Sequence, residues 1–208
     1  MAYNEGGDEA ISDVNLKVKK GETIGVIGGT GSGKSTLVNL IPRFYDVTRG
    51  RVLVDGIDVR DMEPEKLRSK IGMVLQKAVL FRGTIRENLF WGNEGADDEE
   101  IWKALETAQA KEFVEQKEDG LDTMIEQEGR NLSGGQRQRL SIARALVRKP
   151  EILILDDSSS ALDYATDLKL RQAIKALPGD MTVFIVSQRA SSLMHADQIL
   201  VLDDGDVV

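Results

Sequence analysis

The chain has 208 residues, a formal net charge of −8 and no cysteine. This length predicts one domain, with room for an inserted subdomain and a sizeable core. The acidic balance argues against broad nucleic-acid binding, since phosphate backbones attract basic surfaces. The absence of cysteine excludes disulfides and thiolate chemistry, and no apolar run approaches the roughly 18 residues needed to span a bilayer.

The N-terminal third reads as short strands around a glycine-rich loop and a helix. Residues 23–27 are mostly apolar or β-branched and predict a strand, and residues 34–41 are compatible with a helix until Pro42 stops it. Asp55-Gly56 between short apolar runs is a hairpin signal. A further short strand is predicted to end at Gln76.

From about residue 80 the apolar strands give way to helical patterns. "DDEEIWKALETAQA" begins with acidic residues, which suit a helix start, and "GGQRQRLSIARALVRK" is a second strong helix that Pro150 ends. Strands return in "EILILD", "MTVFIVS" and "DQILVLDDGDVV", with a helix at 165–177 between the first two. We therefore predict an α/β fold with a mostly parallel sheet, an α/β core of residues 1–79 and 148–208, and a helical subdomain at 80–147.

A phosphate-binding loop is the first motif with chemical content. "GGTGSGKST", residues 28–36, matches G-x-x-x-x-G-K-[ST] between a predicted strand and a predicted helix. The glycines let successive backbone N–H groups wrap phosphates, and the helix start adds positive potential. Lys34 would reach the β- and γ-phosphates, and Ser35 would ligate magnesium. The residues predicted to bind nucleotide here are Thr30, Gly31, Ser32, Gly33, Lys34, Ser35 and Thr36.

Two aspartates follow the apolar run 152–155. Asp156 ends the predicted strand, where an acid that holds magnesium belongs. A turn or cap aspartate is the alternative, but the complete phosphate loop favours the magnesium role. Asp157, the next residue, could prepare a water for attack, yet it is one methylene shorter than the glutamate expected there.

A second glycine-rich helix start lies in "LSGGQRQRL", residues 132–140. Its hydroxyl and unhindered N–H groups predict another anion site, formed by Ser133, Gly134, Gly135 and Gln136. A helix cap would explain the serine and a glycine but not the whole Gly-Gly-Gln run. Because one domain rarely needs two such sites for one nucleotide, the second is expected to serve a nucleotide held by a partner chain.

Together these motifs resemble the nucleotide-binding domain of ABC transporters, above all of multidrug- and lipid-type exporters. The resemblance covers essentially the whole chain and implies a P-loop NTPase core of the RecA-like type with a small antiparallel β subdomain. It implies that Tyr3 stacks on adenine, although a frayed terminal tyrosine is the alternative. It further implies that Gln76 contacts magnesium, that residues 133–136 contact the partner's γ-phosphate, and that Asp163 crosses the dimer interface.

The resemblance also implies partners and a place in the cell. ATP and Mg2+ are the expected ligands, with Ser35, Gln76 and Asp156 around the metal. A second nucleotide-binding domain and the coupling helices of a transmembrane domain are the expected partners, at the cytoplasmic face of the membrane, and no nucleic acid is expected. Residues 77–92 match the region that receives a coupling helix; core packing is the alternative for Phe81, Phe90 and Trp91.

Two positions depart from the family pattern. Asp157 stands at the catalytic glutamate position and Gln188 at the switch histidine position. Gln188 can donate a hydrogen bond to a phosphate but cannot carry a proton charge. The only histidine, His195, is expected on a surface helix and not as a displaced switch. "IEQEG", residues 125–129, also differs from the family's usual loop, which leaves its contact with the membrane part open.

The pattern predicts retained binding and slowed turnover at this domain's own site. It resembles the degenerate-site subunit of heterodimeric ABC exporters, excised from a longer chain with an N-terminal transmembrane domain. A homodimeric ATPase with residual activity, a soluble ABC-type ATPase acting on DNA or ribosomes, and a purely regulatory nucleotide-binding module remain alternatives. The DNA or ribosome class usually carries long insertions, which this chain lacks.

Overall fold

A computed structural model describes Met1 and residues 9–208 of the chain. The predicted adenine-stacking residue, Tyr3, lies outside the described residues. The chain divides into two compact units. The first unit comprises Met1–Ile71, Glu151–Asp157 and Asp180–Val208, and the second comprises Gly72–Pro150 and Ser158–Gly179.

The elements alternate along the chain as the sequence pattern predicts. The strands of the described residues are β1 (Thr23–Gly28), β2 (Leu53–Val54), β3 (Ile57–Asp58), β4 (Ile71–Val74), β5 (Gly83–Thr84), β6 (Met124–Ile125), β7 (Ile152–Asp156), β8 (Thr182–Val186), β9 (Gln198–Asp203) and β10 (Asp206–Val207). The α-helices of the same residues are α1 (Lys34–Asn39), α2 (Pro64–Ser69), α3 (Ile85–Phe90), α4 (Asp98–Thr107), α5 (Lys111–Glu115), α6 (Gly134–Val147) and α7 (Tyr164–Lys175). No helix in this part of the chain has the length and apolar character that a membrane span requires.

A mostly parallel sheet forms the core of the first unit. Its strands lie in the order β10-β9-β1-β8-β7, with β9, β1, β8 and β7 parallel and β10 antiparallel at the edge. All five residues of β8 are buried, and accordingly every residue of "TVFIV" after Thr182 is apolar. The α/β fold with a mostly parallel sheet is therefore confirmed.

The predicted hairpin around Asp55-Gly56 is also confirmed, as a small antiparallel pair. β2 and β3 pair antiparallel on either side of these two residues. Asp55 has φ +52° and Gly56 φ +79°. Two successive left-handed residues make the type of turn that joins tightly twisted strands, and Asp-Gly is a preferred pair for it.

Helices dominate the second unit. α4 begins at a capping box in which Asp97 accepts the N–H of Glu100 and the Glu100 side chain accepts the N–H of Asp97. Its residues Ile101 and Leu105 are fully buried, and α4 packs against α6. The helix predicted at 165–177 is α7, which belongs to this unit. That residues 80–147 form a helical subdomain of their own remains a proposal.

Three local predictions differ from the structure. The last predicted strand is instead the β9–β10 hairpin, because Asp204 and Gly205 both have left-handed φ, +47° and +89°. His195 lies in an exposed turn after the 3-10 helix Ala190–Leu193, not on a longer helix. α1 ends at Asn39, before the predicted position 41, since the residue preceding Pro42 is biased away from helical conformation.

Candidate functional site

The predicted phosphate loop connects β1 to α1 and lines a pocket. The pocket wall consists of Ala10 and the six residues Gly31, Ser32, Gly33, Lys34, Ser35 and Thr36. Thr30 is exposed in the same loop. Gly33, which caps α1, has φ +93°, and a Cβ there would lie 2.5 Å from Cγ2 of Ile11. A side chain at this position would therefore be excluded both by strain and by contact.

Lys34 places its ammonium group against the backbone of the loop. Its Nζ donates hydrogen bonds to the carbonyls of Gly28 and Gly29, at 2.9 and 2.5 Å. The residue is only 8% exposed. The positive charge is thus held within the loop that the motif assigns to phosphate, where the surrounding protein screens it less than bulk water would.

Ser35 and Asp156 meet although 121 positions separate them. The Ser35 hydroxyl donates to Oδ1 of Asp156 at 3.1 Å. Burial raises the pKa of Asp156 because it disfavours the charged carboxylate, and the neighbouring Asp157 charge raises it further. The Ser35 hydrogen bond and the Lys34 charge lower this pKa. Two hard oxygen donors beside a phosphate loop are a suitable ligand set for magnesium with a nucleotide phosphate, so the residues fit Mg-ATP.

The strand register brings the two departing positions to the edge of the sheet that carries the phosphate loop. Val186 of β8 lies opposite both Val26 of β1 and Asp156 of β7. The carboxyl ends of these three neighbouring parallel strands therefore meet at one edge, where α/β proteins commonly bind ligands. The phosphate loop leaves β1 there, Asp157 leaves β7, and Gln188 follows β8 by two residues as an exposed side chain.

Asp157 has an unusual backbone conformation. Its φ is +46°, in the left-handed region, and its N–H donates to the carbonyl of Val186 at 2.9 Å. Aspartate and asparagine tolerate this region better than residues with longer or branched side chains, because their short polar groups bond locally. The side chain is half-buried and therefore remains accessible at the sheet edge.

In the second unit, the helix start at Ser133 is closed by its own side chains. The hydroxyl of Ser133 accepts the N–H of Gln136 at 3.1 Å, and Oε1 of Gln136 accepts the N–H of Ser133 at 3.0 Å. A capping box thus explains Gln136, contrary to the expectation that a helix cap does not account for this residue. The glycines have a different reason: a Cβ at Gly135 would lie 3.3 Å from the carbonyl oxygen of Ala161. Gly135 therefore lets the residues before Asp163 approach α6.

Asp163 and Gln76 lie in loops of the second unit. Asp163 caps α7, since its carboxylate accepts the N–H and the hydroxyl of Thr166 at 3.0 and 2.7 Å. These hydrogen bonds lower the pKa of Asp163. Gln76 is exposed in a bend after β4. The preceding carbonyl, that of Leu75, accepts a hydrogen bond from the buried amide of Gln138 on α6 at 3.3 Å.

Sequence reasoning missed two residues near these predicted positions. Gln138, 2% exposed, interrupts the buried stripe of α6, and a polar residue at a core position is a signal that could have been followed. Ala10 lines the pocket without any motif to mark it. No local pattern could have identified Ala10, because its place depends on chain segments far away in sequence.

The segment after Gln76 presents aromatic side chains at the surface of the second unit. Phe81 is 46% exposed and Trp91 is 69% exposed, and their ring centroids lie 5.1 Å apart. The guanidinium of Arg144 lies 5.8 Å from the centroid of Phe81. Core packing, the alternative explanation for these aromatics, does not describe Phe81 and Trp91. Phe90 is intermediate in exposure.

The family described as ABC transporter matches residues 11–160. A Bacillus subtilis protein provisionally named multidrug export ATP-binding/permease protein YgaD is 47% identical over 206 residues, which are 99% of this chain and 36% of that protein. The uncharacterized ABC transporter ATP-binding protein Rv1273c of Mycobacterium tuberculosis is 49% identical over 201 residues, which are 95% of this chain and 34% of that protein.

Among solved structures, one titled as a bacterial Atm1-family ABC exporter with ATP bound superposes with a TM-score of 0.95 at 36% sequence identity. The match covers all of this chain and 36% of that chain. The present chain thus spans about a third of the length of the proteins that it matches. The phosphate loop, the fold and these similarities agree: the chain belongs to the ABC transporter family.

Proposed function

We propose that this chain is the ATP-binding domain of an ABC exporter and that its own nucleotide site is degenerate. The observation that carries the proposal is the edge formed by β1, β8 and β7. There Ser35 is hydrogen-bonded to Asp156 beside the phosphate loop, and Asp157 and Gln188 stand where the family resemblance implies a glutamate and a histidine. Binding is therefore retained and hydrolysis at this site is slow.

In this proposal, specific residues bind the phosphates, the magnesium ion and the adenine of Mg-ATP. Lys34 and the N–H groups of residues 30–36 bind the phosphates, while Ser35, Asp156 and Gln76 hold magnesium. When bound, magnesium neutralises phosphate charge. Tyr3 stacks on adenine.

Slow hydrolysis follows from the short side chain of Asp157 and from the inability of Gln188 to carry a proton charge. The carboxylate of Asp157 is shorter than that of glutamate by about one carbon–carbon bond, roughly 1.5 Å. A general base must lie within hydrogen-bond distance of the water, and such a base contributes about 10²–10⁴-fold in rate. Gln188 donates a hydrogen bond to the γ-phosphate but cannot change its protonation.

The second helix start acts on a partner's nucleotide. Residues 133–136 and Asp163 face a partner nucleotide-binding domain that bears the glutamate and the histidine, and they complete its competent site. Residues 77–92, with the exposed Phe81 and Trp91, receive a coupling helix of a transmembrane domain in the longer protein. The assembly works at the cytoplasmic face of the membrane and couples ATP hydrolysis to export.

A complementation experiment tests this assignment with the chain itself. One partner is the chain as it stands. The other carries Asp157→Glu and Gln188→His, which supply a competent nucleotide site. It also carries Ser133→Ala, so that its own helix start cannot complete the nucleotide site of a partner. Neither alone is expected to hydrolyse ATP briskly, whereas the mixture regains phosphate release. Brisk turnover by the unaltered chain alone, abolished by Asp157→Ala, would contradict the degenerate site and favour the homodimeric alternative.

A further inference from the structure

A short segment that belongs to none of the motifs lies against the phosphate loop. We call residues 10–12 the bracing segment. A Cβ at Gly33 would lie 2.5 Å from Cγ2 of Ile11 and 2.7 Å from the carbonyl oxygen of Ala10. Ala10 also lines the pocket. Because real Cβ contacts are longer than these distances, the bracing segment touches the loop where the loop enters α1.

The turn of the β9–β10 hairpin holds the bracing segment in place. The N–H of Ser12 donates to the carbonyl of Gly205 at 2.9 Å. The hydroxyl of Ser12 donates to the carboxylate of Asp206. A Cβ at Gly205 would lie only 3.0 Å from the carbonyl oxygen of Ala10. The hairpin turn is thus bonded to one end of the segment and packed against the other.

The same hairpin supports the opposite end of the phosphate loop. Gly28, the last residue of β1, lies opposite Leu202 of β9. A Cβ at Gly28 would lie 2.2 Å from the carbonyl oxygen of Leu202, so the two backbones are in direct contact. Both ends of the loop therefore rest on the hairpin, Gly28 directly and Gly33 through the bracing segment.

We propose that the β9–β10 hairpin, acting through the bracing segment, positions the phosphate loop and so sets its affinity for a nucleoside triphosphate. Gly205, Ser12 and Asp206 are positioning residues in this proposal, which rests on the proposed binding of ATP. The physical reason is that the loop N–H groups must converge on the phosphates. A displaced Ala10 carbonyl presses on Gly33 and spreads these groups.

Two Asp-Gly turns of the first unit provide a matched pair of variants. Gly205 (φ +89°) follows Asp204 (φ +47°), and Gly56 (φ +79°) follows Asp55 (φ +52°). Alanine carries a similar backbone strain in both turns, yet a Cβ at Gly56 meets nothing within 4 Å. We expect Gly205→Ala to weaken the Kd for Mg-ATP on the order of tenfold, because even small misplacement of binding groups is expensive. We expect Gly56→Ala to leave this Kd unchanged, although it lowers Tm by about as much as Gly205→Ala does.

A serine pair tests the same proposal without backbone strain. Ser12→Ala removes the hydroxyl that bonds Asp206, whereas Ser69→Ala removes a hydroxyl that bonds the carbonyl of Lys66 within α2. We expect Ser12→Ala to weaken the Kd for Mg-ATP and Ser69→Ala to leave it unchanged. Ser12→Thr keeps a hydroxyl and is expected to restore the affinity, which a general loss of stability would not predict.

Isothermal titration calorimetry with Mg-ATP on the 208-residue chain separates the outcomes. Absence of binding by the unaltered chain would overturn the proposed function. Binding by the unaltered chain with equal Kd values within the glycine pair and within the serine pair would overturn the positioning role. If Gly205→Ala fails to fold, the serine pair and its threonine rescue decide the question.

Discussion

The two glycine-rich helix starts of this protein, one in each unit, are built differently. Gly33 caps α1 in a left-handed conformation, and among the described residues no side chain completes that cap. Ser133 caps α6 through a reciprocal capping box with Gln136. The first helix start thus has no side-chain cap, whereas in the second the N–H groups of Ser133 and Gln136 are bonded by each other's side chains. A glycine-rich helix start alone therefore does not say how its N–H groups are used.

The largest expected effect comes from restoring the base in the first unit. Asp157→Glu is expected to raise the rate of ATP hydrolysis by about 10²-fold or more, the contribution typical of a well-placed general base. Phosphate release under single-turnover conditions measures this change. Asp55→Glu is a matched control, since Asp55 has a similar left-handed φ of +52° but lies in a hairpin turn. Equal rates in the two variants would contradict the assignment of Asp157.

The second prediction tests whether only the first helix start binds this chain's own nucleotide. Lys34→Ala is expected to weaken the Kd for Mg-ATP about 10- to 100-fold, because hydrogen bonds to charged groups contribute about 1.5–3 kcal/mol. Ser133→Ala is expected to leave this Kd unchanged. Calorimetric titration of the isolated chain measures both. A comparable loss of affinity in Ser133→Ala would erase the distinction between the two helix starts.

The third prediction concerns the stability contributed by the second helix start, at Ser133. Ser133→Ala removes the capping box of α6 and is expected to lower the free energy of unfolding by about 1 kcal/mol, a usual value for a lost serine cap. Ser133→Asp retains an acceptor at the cap and is the control. Urea unfolding followed by circular dichroism measures the change. A full loss in Ser133→Asp as well would show that the cap is not the source of stability.

The smallest expected effect separates the two neighbouring glycines of α6. Gly134→Ala is expected to raise the free energy of unfolding by about 0.5 kcal/mol, since alanine suits helices better than glycine. A Cβ at Gly134 meets only a flexible arginine tip at 3.9 Å, whereas one at Gly135 lies 3.3 Å from the Ala161 carbonyl. Gly135→Ala is therefore expected to raise the free energy of unfolding by less. Equal increases in the two variants would show that Gly135 is not closely packed against Ala161.

Local signals identified most of the elements and the motif residues. The strand, glycine loop and helix around Lys34 could be predicted because their pattern is short in sequence. The predicted Asp55-Gly56 turn is present for the same reason. The equivalent signal at Asp204-Gly205 follows an apolar run that favours a continuous strand, yet the chain folds there into a hairpin. Ser133 and Gln136 likewise form the local pattern Ser-x-x-Gln, which is typical of a capping box.

The sequence by itself determined the phosphate loop, the acid at Asp156, and the departures at Asp157 and Gln188, because each depends on residue type within a few positions. Only the tertiary structure decided that these residues lie at one edge of the parallel sheet. The Ser35–Asp156 hydrogen bond spans 121 positions, and Ala10 reaches the pocket through the distant hairpin at Gly205. Strand order and register arise from pairing between remote segments, and no local pattern encodes that pairing.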